Sequence, residues 1–213
     1  MNDASKQHRG YASGRYWRKR SHLLYYQAVR QIVDELGTPG ASILDVGSGN
    51  SPYLDWFDWA GERISVDIRV PYRSEKVHGL QADILTYDFD KMYDICMCLQ
   101  VLEHIPDPTP FARRLFELGR VVVVSVPFKW PRGHVKGHLH DPVDHPKLQR
   151  WMGCRPDYQL VVTEPLQRRC SARLIGIYDP TGKNECVRTF SEPKTRSKLA
   201  GALRKFLERS RTL

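Results

Sequence analysis

The sequence predicts an α/β fold with a mostly parallel sheet, and three observations support this prediction. Short apolar runs alternate with segments whose apolar residues recur at helical spacing. The first run, residues 42–44, is followed by an acid and by two glycines, which is typical of a strand that ends in a tight turn. A later run, residues 93–99, is almost continuously apolar, as in a central parallel strand buried on both faces. Because open sheets of this kind bind ligands at the carboxyl ends of their strands, we expect the functional site at that edge.

The turn after the first strand has features of a nucleotide-like binding site. Asp45 lies two residues before Gly47, where dinucleotide-binding proteins usually have an apolar residue. The next apolar run ends in Asp67, 18 residues after Gly49, and an acid at this place can accept hydrogen bonds from both ribose hydroxyls. A Gly-x-Gly sequence alone could be only a strand–helix turn. The interpretation as a nucleotide-like binding site therefore rests on Asp45 and Asp67, the acids on either side of the glycines.

Two segments resemble motifs of the class I S-adenosylmethionine (SAM) methyltransferases. Residues 45–51 are similar to the family's first motif, Asp/Glu-x-Gly-x-Gly-x-Gly, with Ser51 in place of the last glycine. Pro52 stands where the dinucleotide fingerprint would need its third glycine. Residues 101–105 match the Val-Leu-Glu-His-Ile signature found after the fourth strand of many small-molecule methyltransferases. The resemblance covers residues 14–180.

This resemblance implies a Rossmann-like sheet of seven strands, mostly parallel, with helices on both faces and an antiparallel C-terminal hairpin. The expected strands, in chain order, are 42–46, 63–67, 76–81, 93–99, 121–126, 159–163 and 172–178. The expected helices are 14–36, ended by Gly37, then 53–60 and 111–118. The N-terminal segment, residues 14–40, is expected to cap the cofactor, although a helix that only packs on the surface would have the same pattern.

The resemblance also implies SAM as the cofactor. Asp45 would organise the glycine turn and the amino acid part of SAM, and Asp83 matches the family position that binds the adenine amino group, unless it only caps a turn. The cofactor-binding residues implied are Asp45, Gly47, Gly49, Asp67, Asp83, Gln100 and Tyr16.

The segment 127–151 is expected to hold the acceptor, because it leaves the carboxyl edge of the sheet. A linker of this length without clear periodicity is usually functional or disordered. Its chemistry-bearing residues are His134, His138, His140, His145, Asp141 and Asp144.

One interpretation makes a histidine the general base that deprotonates an acceptor hydroxyl, since an imidazole with a pKa near ~6.5 suits this role. His140 is the preferred base, with Asp141 or Asp144 as its partner, because two prolines stiffen this part of the chain. His145 and His104 are the rival bases. The predicted catalytic set is His140, Asp144, His145, Glu103 and His104.

Two other interpretations remain open for the same segment. The carboxylates of Glu103, Asp141 and Asp144 could bind Mg²⁺, which prefers oxygen ligands and would lower the pKa of a bound hydroxyl. The histidine spacing does not match a zinc pattern. Alternatively, the histidines are only solvated loop residues.

The acceptor is predicted to be a sugar, an oligosaccharide or another polyol. Four aromatic side chains, those of Trp130, Trp151, Tyr72 and Tyr53, offer flat faces, and the histidines and acids offer hydrogen bonds. Residues 125–151 are similar to small O-methyltransferases of polysaccharide assembly, including those that act on methylated mannosides. That resemblance implies a sugar O-methyltransferase. The alternatives are a methyltransferase for another small molecule and a binding subunit without catalysis.

Composition and charge set limits on location and partners. The chain has 213 residues and a formal net charge of +9, much of it in the basic tail 191–213. Aromatic residues that could stack on bases are not interleaved with this tail, which counts against a nucleic-acid partner. No apolar run approaches the ~20 residues of a membrane span, the N-terminus lacks a signal-peptide core, and the five cysteines form no disulfide framework. We therefore expect a cytoplasmic protein without a transmembrane segment.

The chain is expected to form one domain, residues 1–190, followed by the tail. In the tail, Leu199, Leu203, Phe206 and Leu207 recur on one face of a predicted amphipathic helix. Packing on its own domain, pairing with a second subunit and binding to an anionic membrane surface are all compatible with this pattern. We expect a homodimer with this helix near the interface.

Overall fold

A computed structural model describes residues 17–190, which form one seven-stranded sheet with helices on both faces. The strands are β1 (Ser42–Val46), β2 (Glu62–Asp67), β3 (His78–Gln81), β4 (Tyr93–Leu99), β5 (Gly119–Pro127), β6 (Tyr158–Thr163) and β7 (Ala172–Tyr178). The α-helices are α1 (Leu24–Leu36), α2 (Pro108–Leu118), α3 (His145–Met152) and α4 (Glu185–Phe190). Short 3₁₀ helices span Pro52–Trp56 and Leu102–His104.

The strand order is β3-β2-β1-β4-β5-β7-β6. Strands β1 to β5 pair in parallel, and β7 is antiparallel to both β5 and β6. The predicted Rossmann-like sheet with its antiparallel hairpin is therefore confirmed. Because β1 and β4 are neighbours, the glycine turn after β1 and the segment after β4 meet at the same edge.

The valines of β5 show how the two cores are built. Val121 and Val123 face the layer that contains α1, whereas Val122, Val124 and Val126 face the layer that contains α2 and α3. This alternation follows from the two-residue period of a strand. Since both faces are covered by helices, the strand is apolar at nearly every position.

Helix α1 is shorter than the predicted helix 14–36. It begins at Leu24 because Leu23 has an extended backbone, and the backbone N–H groups of Leu24 and Tyr25 donate to the Glu164 carboxylate at 3.0 and 2.9 Å. Trp17 is helical but is separated from α1 by a turn over residues 19–22, and it packs against the rings of Tyr26, Tyr53 and Trp56.

Helices α2 and α3 start at conventional caps. The Asp107 side chain accepts from Thr109 N–H at the start of α2, and the Asp144 side chain accepts from Lys147 N–H at the start of α3. Part of the segment 127–151, predicted as one loop, is therefore helical. In residues 17–190 no helix is both long and apolar enough to cross a membrane. The tail 191–213 and its amphipathic stripe lie outside the described residues.

Asp45 is buried in β1 under the glycine turn. One of its carboxylate oxygens accepts the hydroxyl of Tyr53 at 2.7 Å, and its Oδ1 has no hydrogen-bond partner among the described residues. Burial raises the pKa of Asp45 to about 7, although the Tyr53 hydrogen bond opposes this shift. The acid therefore binds a proton more readily in the folded chain than in the unfolded one.

Removal of the Glu164 carboxylate should destabilise the protein, because two amide groups at the start of α1 would lose their acceptor. We expect Glu164→Ala to lower the free energy of unfolding by about 2 kcal/mol or more. Glu75→Ala, which changes an exposed acid, should stay within about 0.5 kcal/mol of the parent. Urea unfolding followed by circular dichroism measures both values, and equal effects of the two substitutions would contradict the role of Glu164.

The raised pKa of Asp45 predicts a pH-dependent stability. Between its ordinary pKa near 3.8 and about 7, the folded state binds the proton and the unfolded state does not. The free energy of unfolding should therefore fall as pH rises through this window. Asp45→Asn keeps an acceptor for Tyr53 and should reduce this decline, whereas Asp88→Asn, at an exposed acid, should not. Urea unfolding at pH 5, 6, 7 and 8 tests it, and parallel curves for parent and Asp45→Asn would refute the assignment.

Candidate functional site

A cavity of about 690 Å³ opens at the carboxyl edge of the parallel strands. One end is lined by the glycine turn after β1 and by acids that follow β2 and β3. The other end is lined by the segment after β4 and by part of the loop 127–151. The predicted site residues that line it are Gly47, Gly49, Asp67, Asp83, Gln100, Glu103 and His104.

The glycine turn needs its glycines for two reasons. Gly47 and Gly49 have φ angles of 72° and 52°, in the left-handed region that glycine adopts without strain. A Cβ atom on Gly47 would also lie 2.5 Å from the Val101 side chain. The turn therefore lets backbone from β1 and the segment after β4 approach closely.

Asp67 ties the glycine turn to the turn after β2. Its Oδ2 accepts from the backbone N–H of Gly49 at 3.0 Å. Its Oδ1 accepts from the backbone N–H groups of Arg69 and Val70 at 2.7 and 3.0 Å. The carboxylate thus shapes this end of the cavity as well as lining it.

Asp83 also combines a turn role with a place in the cavity. Its Oδ1 accepts from the backbone N–H of Leu85 at 2.9 Å. Asp83 therefore caps a turn, and it also lines the cavity.

Gln100 follows β4 in a left-handed conformation, with a φ of 58°, which is uncommon for a residue other than glycine. Its backbone N–H donates to the Ser125 carbonyl at 2.9 Å, and its Nε2 donates to the Ser125 hydroxyl at 3.2 Å. That hydroxyl also bonds to Tyr25 of α1. These contacts hold a strained residue at the middle of the cavity, as is common at functional sites.

Three hydrogen bonds dock the loop 127–151 on the segment after β4. His104 Nδ1 bonds the Gly137 carbonyl at 2.9 Å, the Leu139 N–H donates to the Glu103 carbonyl at 2.8 Å, and His140 Nε2 bonds the Ile105 carbonyl at 2.7 Å. This docking brings the side chains of Glu103, His104 and His138 to one wall of the cavity.

His138 is oriented from behind by a carboxylate. Its Nδ1 lies 2.7 Å from Asp141 Oδ2, and its Nε2 lies 4.0 Å from a carboxylate oxygen of Glu103. Its ring stacks on Trp130, with 5.6 Å between centroids and 15° between planes, and meets the His104 ring edge-on at 4.7 Å. The orientation of the His138 imidazole is thus fixed by Asp141, Trp130 and His104.

Glu103 is fully buried, and neither of its carboxylate oxygens has a hydrogen-bond partner among the described residues. Burial raises the pKa of Glu103 to about 8, and the nearby Asp141 adds to the shift. Burial also lowers the pKa of His104, which favours its neutral form.

Several predicted residues lie outside the cavity. His140 docks the loop through Ile105 and packs against Trp151, and Asp144 caps α3. His145 bonds the side chain of Gln159. The remaining predicted residue outside the cavity, Asp45, is buried below the glycine turn, and Tyr16 precedes the described residues.

The set of three acids proposed for Mg²⁺ is not assembled. Asp144 is used by α3 and Asp141 is bonded to His138. Within residues 17–190, the group whose possible ligand atoms converge is Glu103, His104 and His138, with one atom from each lying within 4.8 Å of the others.

Three residues of the cavity wall, His138, Trp130 and Arg173, are not among the predicted catalytic or cofactor-binding residues. Gly137 before His138 suggests a mobile segment, whereas the spacing His138-x-x-Asp141 is a signal of an oriented imidazole. Trp130 was considered only as one of several flat faces. Arg173 lies in β7 with its guanidinium 5.2 Å from the ring centroids of both Tyr25 and Trp130, and a charged residue in an apolar strand was the available signal.

Comparisons with known proteins agree with this architecture. No protein-family model matches the chain. The ubiquinone biosynthesis O-methyltransferase of Pseudomonas fluorescens is 25% identical, over 49% of this chain and 53% of that protein. The enzyme of the same name from Pseudomonas savastanoi is 24% identical with the same coverage. The chain thus spans about half the length of the curated relatives it matches.

One similar solved structure is the N-methyltransferase NodS of Bradyrhizobium japonicum in complex with S-adenosylhomocysteine. It matches with a TM-score of 0.60 and 14% sequence identity, over 81% of this chain and 95% of the NodS chain. The 1,6-didemethyltoxoflavin N1-methyltransferase of Burkholderia thailandensis matches with a TM-score of 0.57 and 20% sequence identity, over 71% of this chain and 75% of that enzyme's chain. That structure holds S-adenosylhomocysteine and 1,6-didemethyltoxoflavin. The resemblance seen in the sequence is confirmed, and the chain has the fold of the class I SAM-dependent methyltransferases.

Proposed function

We propose that the protein transfers a methyl group from SAM to a hydroxyl of a small polar acceptor, with a sugar or oligosaccharide such as a methylated mannoside as the substrate class. The observation that carries this proposal is a cavity that contains both a glycine turn and a group of titratable side chains. It joins a glycine turn with flanking acids at one end to a buried glutamate and two histidines at the other.

The cofactor is proposed to bind at the glycine end. The backbone of Gly47 and Gly49, which lines this end, would leave room for the methionine part, and Asp67 would accept hydrogen bonds from the ribose. Asp83, which lines the cavity after β3, would bind the adenine. Two structural neighbours hold S-adenosylhomocysteine, the product of SAM after methyl transfer, in this fold.

Oxygen is proposed as the acceptor atom on two grounds. The curated relatives are named O-methyltransferases, and the acceptor end carries groups that can hold a hydroxyl and remove its proton. Asp141 accepts the Nδ1 proton of His138, and the Gly137 carbonyl accepts that of His104. Each neutral imidazole therefore keeps a proton-free Nε2 for a ligand.

The sugar is supported by the lining of the acceptor end. A flat ring, that of Trp130, lies beside two imidazoles, a buried carboxyl and the Arg173 guanidinium. Many donors and acceptors around one aromatic face suit a ring that carries several hydroxyls.

In the proposed reaction the acceptor oxygen attacks the methyl carbon in line with the sulfonium. A carbon–oxygen bond forms, the carbon–sulfur bond breaks with its electrons, and S-adenosylhomocysteine leaves as a neutral thioether. The hydroxyl proton passes to the proton-free Nε2 of His104 or His138. Alignment of the reactants supplies much of the acceleration, and proton removal adds roughly 10²–10⁴-fold.

The cofactor assignment predicts that Asp67→Ala weakens binding of S-adenosylhomocysteine by at least about tenfold, since a charged hydrogen bond is worth roughly 1.5–3 kcal/mol. Asp88→Ala, which changes an exposed acid outside the cavity, should leave the affinity unchanged. Isothermal titration calorimetry measures both. Equal affinity of the parent and Asp67→Ala, with both proteins folded by circular dichroism, would remove Asp67 from the cofactor site.

The acceptor assignment is tested with methyl-labelled SAM and a panel that contains mannosides, short mannose oligosaccharides, an acyclic polyol and a catechol. We expect label on a sugar. Glu103→Gln should lower turnover by about two orders of magnitude while the affinity for S-adenosylhomocysteine stays within about threefold. Glu117→Gln, an exposed acid of α2, is the matched control.

Each outcome of this assay has a separate meaning. Label on the catechol alone would contradict the sugar and retain O-methyl transfer. Binding of the cofactor product without label on any acceptor would favour the binding subunit without catalysis. Unchanged turnover of Glu103→Gln would contradict the proposal that the acceptor binds at the end of the cavity that contains Glu103.

A further inference from the structure

We infer that Glu103, His104 and His138 bind one divalent transition-metal ion at the acceptor end of the cavity. These side chains come from two separate segments, and one possible ligand atom from each lies within 4.8 Å of the others. The three side chains also line the cavity, so an ion held by them would keep a ligand position open to a substrate.

The hydrogen bonds of both histidines leave Nε2 as the nitrogen that can bind a metal. A carbonyl oxygen can only accept, so His104 donates its Nδ1 proton to Gly137 and carries a lone pair on Nε2 when neutral. The Asp141 carboxylate fixes His138 in the same tautomer. A carboxylate behind a metal-binding histidine is the usual arrangement at such sites, because it orients the ring and raises its basicity.

Glu103 supplies the second, independent observation. Its side chain is completely buried, yet neither carboxylate oxygen has a hydrogen-bond partner among the described residues. A buried polar group without a partner costs free energy unless a ligand satisfies it. The nearest groups that could share such a ligand include the His138 Nε2, 4.0 Å away.

The donor set selects the class of metal. Mg²⁺ prefers oxygen ligands at close to octahedral geometry, whereas two imidazoles and one carboxylate suit Zn²⁺, Co²⁺ and similar ions. Bonds of about 2.0–2.1 Å to a tetrahedral ion place its donor atoms roughly 3.3 Å apart. The ligand atoms must therefore approach one another by up to about 1.5 Å. The Glu103 carboxylate can contribute to this movement because no hydrogen bond among the described residues holds it.

The role of this ion in turnover rests on the proposed function. With the ion bound, the two imidazoles would act as ligands and no longer as bases. The acceptor hydroxyl would take the open position, where the ion would lower its pKa and the proton would pass to water. The resulting oxygen then attacks the methyl carbon as the carbon–sulfur bond breaks. Metal binding by the three residues does not itself depend on that reaction.

The test is titration of the chelator-treated full chain with Co²⁺, followed by visible absorption, with displacement by Zn²⁺. We expect one ion per chain and visible bands that Zn²⁺ abolishes. His138→Ala and Glu103→Gln should weaken Co²⁺ binding by at least about tenfold, and Asp141→Asn by about tenfold or more. His134→Ala, an exposed histidine of the same loop, is the matched control and should bind as the parent does.

Calorimetric titration of S-adenosylhomocysteine against each variant shows that the cofactor end is intact, and it separates loss of the metal site from loss of fold. Absence of stoichiometric Co²⁺ binding, or equal binding by the parent and Glu103→Gln, would overturn the site. Full methyl transfer by metal-free protein would overturn the ion's role while the proposed function stands. Tight Co²⁺ binding without methyl transfer to any acceptor would support the site and contradict the proposed function instead.

Discussion

The docking of the loop 127–151 on the segment after β4 is the constraint on which the acceptor end depends. Backbone and imidazole groups make the three hydrogen bonds, at Gly137, Leu139 and His140. They seal Glu103 from water and set His138 against it. Without them, the carboxyl would be solvated, its pKa would return towards its ordinary value, and the two histidines would have no common orientation.

The two ends of the cavity are built on different principles. At the glycine end, the shape comes from backbone: β1 and β4 are neighbours, and only glycine allows Val101 to approach as closely as it does. The acid Asp67 then fixes two turns at once through backbone N–H groups. At the acceptor end, shape and charge come from side chains whose positions require the whole loop to be folded.

This difference explains what the sequence could predict. The strands, the glycine turn and the acids Asp67 and Asp83 follow from local patterns, so they were placed correctly along the edge of the sheet. The start of α1 could not be predicted, because its partner Glu164 lies 140 residues away from Leu24 in the chain. Periodicity within residues 14–36 has no information about that contact.

The positions of the histidines relative to the cavity could not be predicted for a similar reason. His140 has the stiffer surroundings in sequence, but its Nε2 bonds the Ile105 carbonyl, a partner 35 residues away. His138 has glycine before it, yet the fold encloses it between Trp130, His104 and Asp141. Rigidity at this site therefore comes from tertiary contacts, and local stiffness of the chain does not indicate which histidine lines the cavity.

The acids of the Asp141-Pro142-Val143-Asp144 stretch show how this loop divides its work. Asp144 caps α3, and that helix packs Leu148 and Trp151 into the core layer beneath the loop. Asp141 points the other way and holds His138. Val143, between them, is fully buried, and its carbonyl accepts the N–H of Lys129 at 2.7 Å. Asp144 thus begins the helix that anchors the loop to the core, and Asp141 orients the His138 imidazole. The position of His138 therefore depends on the same packing that stabilises the domain.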